Sequence, residues 1–252
     1  MASGIKSRTA VLLFSIPAFW MAFFLCEAQA NPPGSIKNGK NESPIVKITA
    51  PANNSTYKWN SLVNYSVVVS WQGKSTQYQE IPSNEVLITT TYILDSSKAA
   101  AKPAEAAAPT PAGLLDIIRS GCIGCHEFKA RAMGPSFAAM AARYPDNQAS
   151  VDTLSRYIRE GSMGVWGPGT MPPHREFTQE QLHDIAHWIV KSANDPNVNY
   201  YVGTEGAIRM EAPTTSSSKG GMTITASYTP RVSPTSQEQL PHGEDTVTVR
   251  GN

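Results

Sequence analysis

The sequence predicts a multi-domain α plus β protein: an all-α domain in mid-chain, with β segments on both sides that together form one discontinuous sandwich. Three observations carry this reading. The stretches before residue 95 and after residue 194 alternate β-branched or aromatic residues with polar ones. The stretch 112–193 instead spaces its apolar residues for helices. Between the first β segment and the helical one lies a run of Ala, Lys and Pro, 96–111, with the composition of an exposed linker.

The first thirty residues read as a secretory signal peptide. Lys6 and Arg8 precede an apolar run from Ala10 to Leu25, and Ala28-Gln29-Ala30 supplies small residues for cleavage before Asn31. The run has 16 residues and contains Pro17, short of the roughly 20 that a membrane span needs. Cys26 follows Phe23-Phe24-Leu25, bulky residues where a lipoprotein signal wants small ones. Cleavage would remove Lys6, Arg8 and Glu27 and leave acidic and basic residues in balance. Nothing in that balance suits nucleic acid. Cleavage would also leave Cys122 and Cys125 as the only cysteines.

Residues 31–43 are polar and rich in Pro, Gly and Asn, and read as a flexible lead-in. The first β segment spans 44–95, with strands expected at Ile45–Thr49, Val63–Trp71 and Val86–Leu94. The helical domain spans 112–193. Its helices are marked by Leu114, Leu115 and Ile118, by the Ala-rich Ser136–Arg143, and by Val151–Arg159. A last helix opens at Thr178 with Gln181 three residues on, and carries Leu182, Ile185, Trp188 and Ile189 on one face. The second β segment spans 194–252. Met222–Tyr228 and Asp245–Arg250 alternate clearly, and Val198–Met210 does so more weakly.

Cys122-Ile-Gly-Cys125-His126 is the chemical centre of the chain. Covalent haem needs two thiols to add to two vinyl groups and an imidazole within reach of the iron. Cys-x-x-Cys-His places all three on one turn. A zinc site would need a second ligand pair, and no second cysteine pair exists once Cys26 is removed. A redox dithiol would follow a strand in a βαβ unit, whereas here the flanks are helical. One covalent haem c is the expected cofactor.

The candidates for a sixth ligand are Met133, Met140, Met163, Met171, His174, His183 and His187. Met171 lies in Gly167-Pro-Gly-Thr-Met171-Pro-Pro173, a stiff, helix-free loop able to hold a thioether over the haem face opposite His126. His174 is its main rival. Met140 sits in a helical apolar stripe suited to packing. His183 and His187 stand four apart on the last helix and lack a third ligand.

Gly164-Val-Trp166-Gly167, the Met171-Pro-Pro loop, Gly134-Pro135-Ser136 and the 45 residues from His126 to Met171 resemble the small bacterial class I cytochromes c over about 112–192. The resemblance implies that Met171 is the distal ligand. It also implies that Pro135 accepts from the free nitrogen of His126, that Trp166 packs near a haem propionate, and that Trp188 packs on the first helix. Ala130-Arg-Ala-Met133 looks longer than the usual link, which implies a changed loop. With His and Met both on iron no coordination site stays open, and thioether ligation favours ferrous iron. The function so implied is one-electron transfer, without enzymatic activity of its own. No Ser/His/Asp set, phosphate loop or paired-carboxylate motif points elsewhere.

The β segments resemble the opening and closing strands of bacterial immunoglobulin-like (PKD-like) repeats, which implies one sandwich interrupted by the haem domain; two separate small β modules are the alternative. The whole arrangement resembles cytochrome modules attached to exported quinoprotein or sugar dehydrogenases. That implies a periplasmic or otherwise exported bacterial protein, taking electrons from an exported dehydrogenase and passing them to a terminal carrier or oxidase. Two other functions stay open at this point. One is a surface binding or adhesion module with accessory haem, for which Tyr57, Trp59, Trp71 and Tyr78 are the candidate contact residues. The other is a peroxidase-like haem enzyme with Met171 off the iron.

Overall fold

The computed structural model describes residues 42–96, 109–211, 220–231 and 241–252. The expected signal peptide (1–30), nearly all of 31–43 and most of the 96–111 linker lie outside the described residues. The first β segment forms β1 (Ile45–Ala50), β2 (Thr56–Tyr57), β3 (Leu62–Trp71), β4 (Lys74–Ser75) and β5 (Leu87–Ile93). Strand β3 follows the period-2 rule: Val63, Tyr65, Val67 and Val69 are buried, and the residues between them are not. It turns into β4 through Gln72 and Gly73, at φ 49° and 78°, the positive-φ pair of a two-residue hairpin turn.

The helical stretch forms α1 (Ala112–Arg119), α2 (Phe137–Arg143), α3 (Gln148–Glu160), a hairpin of β6 (Ser162–Gly164) and β7 (Gly167–Met171), and α4 (Gln179–Ser192). Local chemistry sets the helix starts. Ser136 caps α2 and Asn147 caps α3 through side-chain oxygens. Thr178 and Gln181 form the reciprocal capping box expected for α4. The second β segment forms β8 (Val198–Val202), β9 (Glu205–Arg209), β10 (Gly221–Tyr228) and β11 (Gly243–Gly251).

The two β segments pair with each other. Strand β9 runs antiparallel to β3, with Val63 opposite Ile208. Strand β5 lies between β10 and β8, with Thr89 opposite Thr225 on one side and Tyr200 on the other. The order β2-β11-β10-β5-β8 therefore draws on both ends of the chain, as does the sheet of β1, β3, β4 and β9. One buried cluster joins these sheets, with Val46, Val67 and Ile88 from the first segment beside Ile208, Ile224 and Val249 from the second. Tyr57, Trp59 and Trp71 pack partly buried against it, as core or edge aromatics, while Tyr78 is exposed.

A second buried cluster sits among the helices. Strand alternation connects the two: Ile88 belongs to the β cluster and its neighbour Leu87 to the helical one. In β8, Tyr200 and Val202 pack on the helical cluster, and Tyr201 between them packs on the β cluster. Trp188 of α4 stacks edge-on with Phe128, Phe137 and Tyr200, at 6.1, 6.1 and 5.5 Å. Trp188 shares its buried cluster with Leu114 and Ile117 of α1, and α4 also approaches α1 closely at Gly113, where a Cβ would overlap the Asp184 carbonyl.

A polar clasp spans the same junction. Arg231, just after β10, donates from Nε to the buried Glu85 carboxylate at 2.6 Å and from Nη2 to the Arg119 carbonyl at 3.2 Å. Arg119, the last residue of α1, donates to the Thr229 carbonyl.

Two stability effects follow. Gly113→Val is expected to destabilise by about 2 kcal/mol or more, because overpacking outweighs the roughly 0.4 kcal/mol of helix propensity that valine gains over glycine; urea unfolding checks this. Glu85→Ala leaves a guanidinium pair without its carboxylate. The expected loss is about 1–3 kcal/mol, below the value for a fully buried pair because the Arg231 side chain is 58 % exposed; thermal unfolding with and without added salt measures it.

Candidate haem site

Helix α1 ends where Gly121 takes φ 79°, the left-handed conformation that terminates helices. The chain then winds Cys122–Gly124 into one 3-10 turn, and the His126 amide donates to the Cys122 carbonyl at 2.9 Å. Neither cysteine forms a disulfide, and both are half-buried. Burial pushes the Cys122 thiol above its ordinary pKa, offset in part by its 3.1 Å hydrogen bond with Ser120 Oγ.

His126 is buried, and its Nδ1 donates to the Pro135 carbonyl at 2.7 Å. That bond leaves Nε2 as the nitrogen available to a metal. Backbone hydrogen bonds hold the acceptor in place: Gly134 donates to Cys125 at 2.9 Å, Phe137 to Glu127 and Ala138 to Phe128 at 3.0 Å. The long link at Ala130–Met133 is accommodated as an irregular loop outside this frame, with Met133 exposed. Gly134 lies so close that a Cβ would overlap the His126 ring.

The distal segment is more ordered than its composition suggests. Residues 167–171 are strand β7, paired with β6 so that Met171 stands opposite Ser162. Gly161, at φ 78°, leads into this hairpin, and a Cβ there would lie 2.7 Å from the Met171 carbonyl oxygen. The His174 amide donates to the Ile158 carbonyl at 2.9 Å and ties the far side of the segment to the end of α3.

A cavity of about 430 Å³ opens between these elements, within the ~300–1,000 Å³ of small-molecule sites. All six residues singled out in the sequence line it: Cys122, Cys125, His126, Pro135, Trp166 and Met171. Phe137, Leu154, Ile158 and Ile189 supply apolar walls. Of the rival ligands, Met133, Met140 and His174 also border it, whereas Met163, His183 and His187 are not among its lining residues. Met140 is also part of the helical core. His183 and His187 stack face to face at 6.0 Å, and their helix positions are exposed. Sequence reasoning missed Arg143, whose guanidinium lies 4.6 Å over the Trp166 ring while Nη1 donates to the Val165 carbonyl. A basic residue ending a helix carries no signal for such a contact.

The family model for cytochrome c oxidase, cbb3-type, subunit III matches residues 109–189. Cytochrome c-552 of Hydrogenobacter thermophilus is 38 % identical over 72 residues, 29 % of this chain and 72 % of that protein. The helical part of the chain belongs to the class I c-type cytochromes. Cytochrome c-551 of Stutzerimonas stutzeri is 36 % identical over 27 % of this chain and 65 % of its own length. The crystal structure of wild-type cytochrome c552 from Nitrosomonas europaea matches 30 % of this chain and 93 % of that one, at 32 % identity and a TM-score of 0.29. The β segments lie outside the match to the family model.

The cofactor of such cytochromes is one covalent haem c, and the cavity fits it. Two thiols, an oriented imidazole and a thioether share an apolar lining, and Gly134 leaves the imidazole room that any side chain would take. Gly134→Ala is therefore expected to displace His126 and lower the haem content of the purified cytochrome about tenfold or more, the scale of perturbed ligand orientation. Absorbance at the haem band against total protein measures this.

Proposed function

We propose that this chain is an exported one-electron carrier whose haem is attached at Cys122 and Cys125 and held between His126 and Met171. The observation that carries the reading is that His126, oriented by its 2.7 Å bond to Pro135, shares one apolar cavity with Met171 at the end of a paired strand. When bound, the haem supplies an iron couple that gains and loses one electron.

The residues of the chain prepare that couple. Pro135 takes the Nδ1 proton of His126 in a hydrogen bond, which orients the ring and raises the basicity of Nε2. The Met171 thioether is a weak donor that favours the reduced metal. Phe137, Leu154, Ile158 and Ile189 exclude water, which limits solvent rearrangement on electron transfer and favours the less charged state. Trp166, with Arg143 over its face, forms a polar, cationic edge suited to the haem carboxylates. The two axial positions would be filled by protein, which leaves none for oxygen or peroxide.

Pairing of β3 with β9 and of β5 with β10 supports reading the β segments as a single immunoglobulin-like domain interrupted by the cytochrome. In this reading the domain spaces or docks the haem module toward an exported dehydrogenase that donates electrons and a terminal carrier or oxidase that receives them. The apolar N-terminal run with its Ala-Gln-Ala end supports export. Among the described residues no helix is long and apolar enough to cross a membrane.

The test is spectroscopic. The oxidised protein should show the weak far-red band of thioether-ligated haem, and Met171→Ala should abolish it. The reduced protein should take up carbon monoxide slowly. Rapid uptake by the unsubstituted chain would overturn the carrier reading in favour of an open-site haem enzyme.

A further inference from the structure

His174 lies three residues beyond Met171 and lines the same cavity. Its Nδ1 is 2.9 Å from Glu176 Oε1. A carboxylate only accepts, so Nδ1 carries the proton and Nε2 is the nitrogen left for a metal. The ring packs 6.0 Å from Phe177, and the His174 amide is fixed to Ile158. His174 thus shares with His126 an engaged Nδ1 and a hydrogen-bonded backbone amide, here with an exposed carboxylate as the ring's partner, on the segment that carries Met171.

The other side chains of ligand type are less well prepared. Met133 is 76 % exposed, in an irregular loop. Met140 is packed into the helical core from α2. His183 and His187 are not among the lining residues.

We propose that His174 is a reserve distal ligand, so that withdrawal of the Met171 thioether gives a haem held by two imidazoles and not an open iron. This rests on the reading of Met171 as the distal ligand. The exchange alters the electron carrier without unfolding it. An imidazole is the stronger donor to oxidised iron, so the midpoint potential falls when His174 takes over. The coordination site stays closed to small molecules in both forms.

The experiment compares the full chain, haem attached, with Met171→Ala and with Met171→Ala/His174→Ala. Electron paramagnetic resonance of the oxidised protein and carbon monoxide uptake by the reduced protein are the readouts. The single variant is expected to lose the far-red band yet stay low-spin, to show a lower midpoint potential, and to take up carbon monoxide no faster than the unsubstituted chain. The double variant is expected to turn high-spin and to bind carbon monoxide rapidly. A high-spin, rapidly binding single variant overturns the reserve role while leaving Met171 as the ligand. A double variant that stays low-spin overturns it as well, since some other side chain is then binding. A single variant that keeps the far-red band instead rejects Met171 itself. Met171→Leu, close in volume to methionine, gives the same readouts should the alanine variant not accumulate.

Discussion

Strand β5 faces two cores at once. Ile88 enters the β cluster and Leu87 the helical cluster, and β8 repeats the device with Tyr201 on one side and Tyr200 and Val202 on the other. A strand with a single buried face would leave the helices resting on a polar surface. Here the outer face of the five-stranded sheet serves as a wall of the helical core, with Tyr200 against Phe128 and Trp188. The helical core is thus completed by residues whose backbone belongs to the sheet. The Glu85, Arg231 and Arg119 clasp adds a directional contact at the same junction.

Within the helical part, backbone hydrogen bonds do most of the positioning. His126 is oriented by the Pro135 carbonyl, whose segment is tied back by the Gly134, Phe137 and Ala138 amides bonding to the carbonyls of Cys125, Glu127 and Phe128. Met171 is placed by strand pairing with Ser162, and His174 by the end of α3. In the proposed carrier, ligands held this way would move little between redox states, which suits fast electron exchange. The glycines at 134 and 161 matter because they permit close approach, to an imidazole ring in one case and a carbonyl in the other.

Much of this was legible in the sequence because the signals are local. The Cys-x-x-Cys-His turn, the Thr178 and Gln181 capping box and the alternation of β10 and β11 each lie within a few residues and appear as expected. The β6–β7 hairpin was not legible, since Gly, Pro and Met in 162–171 lack the β-branched alternation that marks strands. The contact of α1 with α4 was expected at Trp188, which joins the buried cluster of α1; the close approach at Gly113 was not legible, because what that residue contributes is the absence of a side chain. Arg231 with Glu85 lies 146 residues apart in sequence, and no local pattern encodes such a pair.

The pairing of β5 with β10 carries a consequence for assembly. Thr223 Oγ1 meets the Thr91 carbonyl across 132 residues of intervening chain. Closing a flexible loop of that length costs roughly 4 kcal/mol in chain entropy before any contact is made. A helical segment that folds first shortens the effective loop and removes part of that cost. Because the helical core borrows Leu87 and Tyr200 from the sheet, the benefit runs in both directions. Maturation of the haem-bearing segment and closure of the sheet are therefore linked steps.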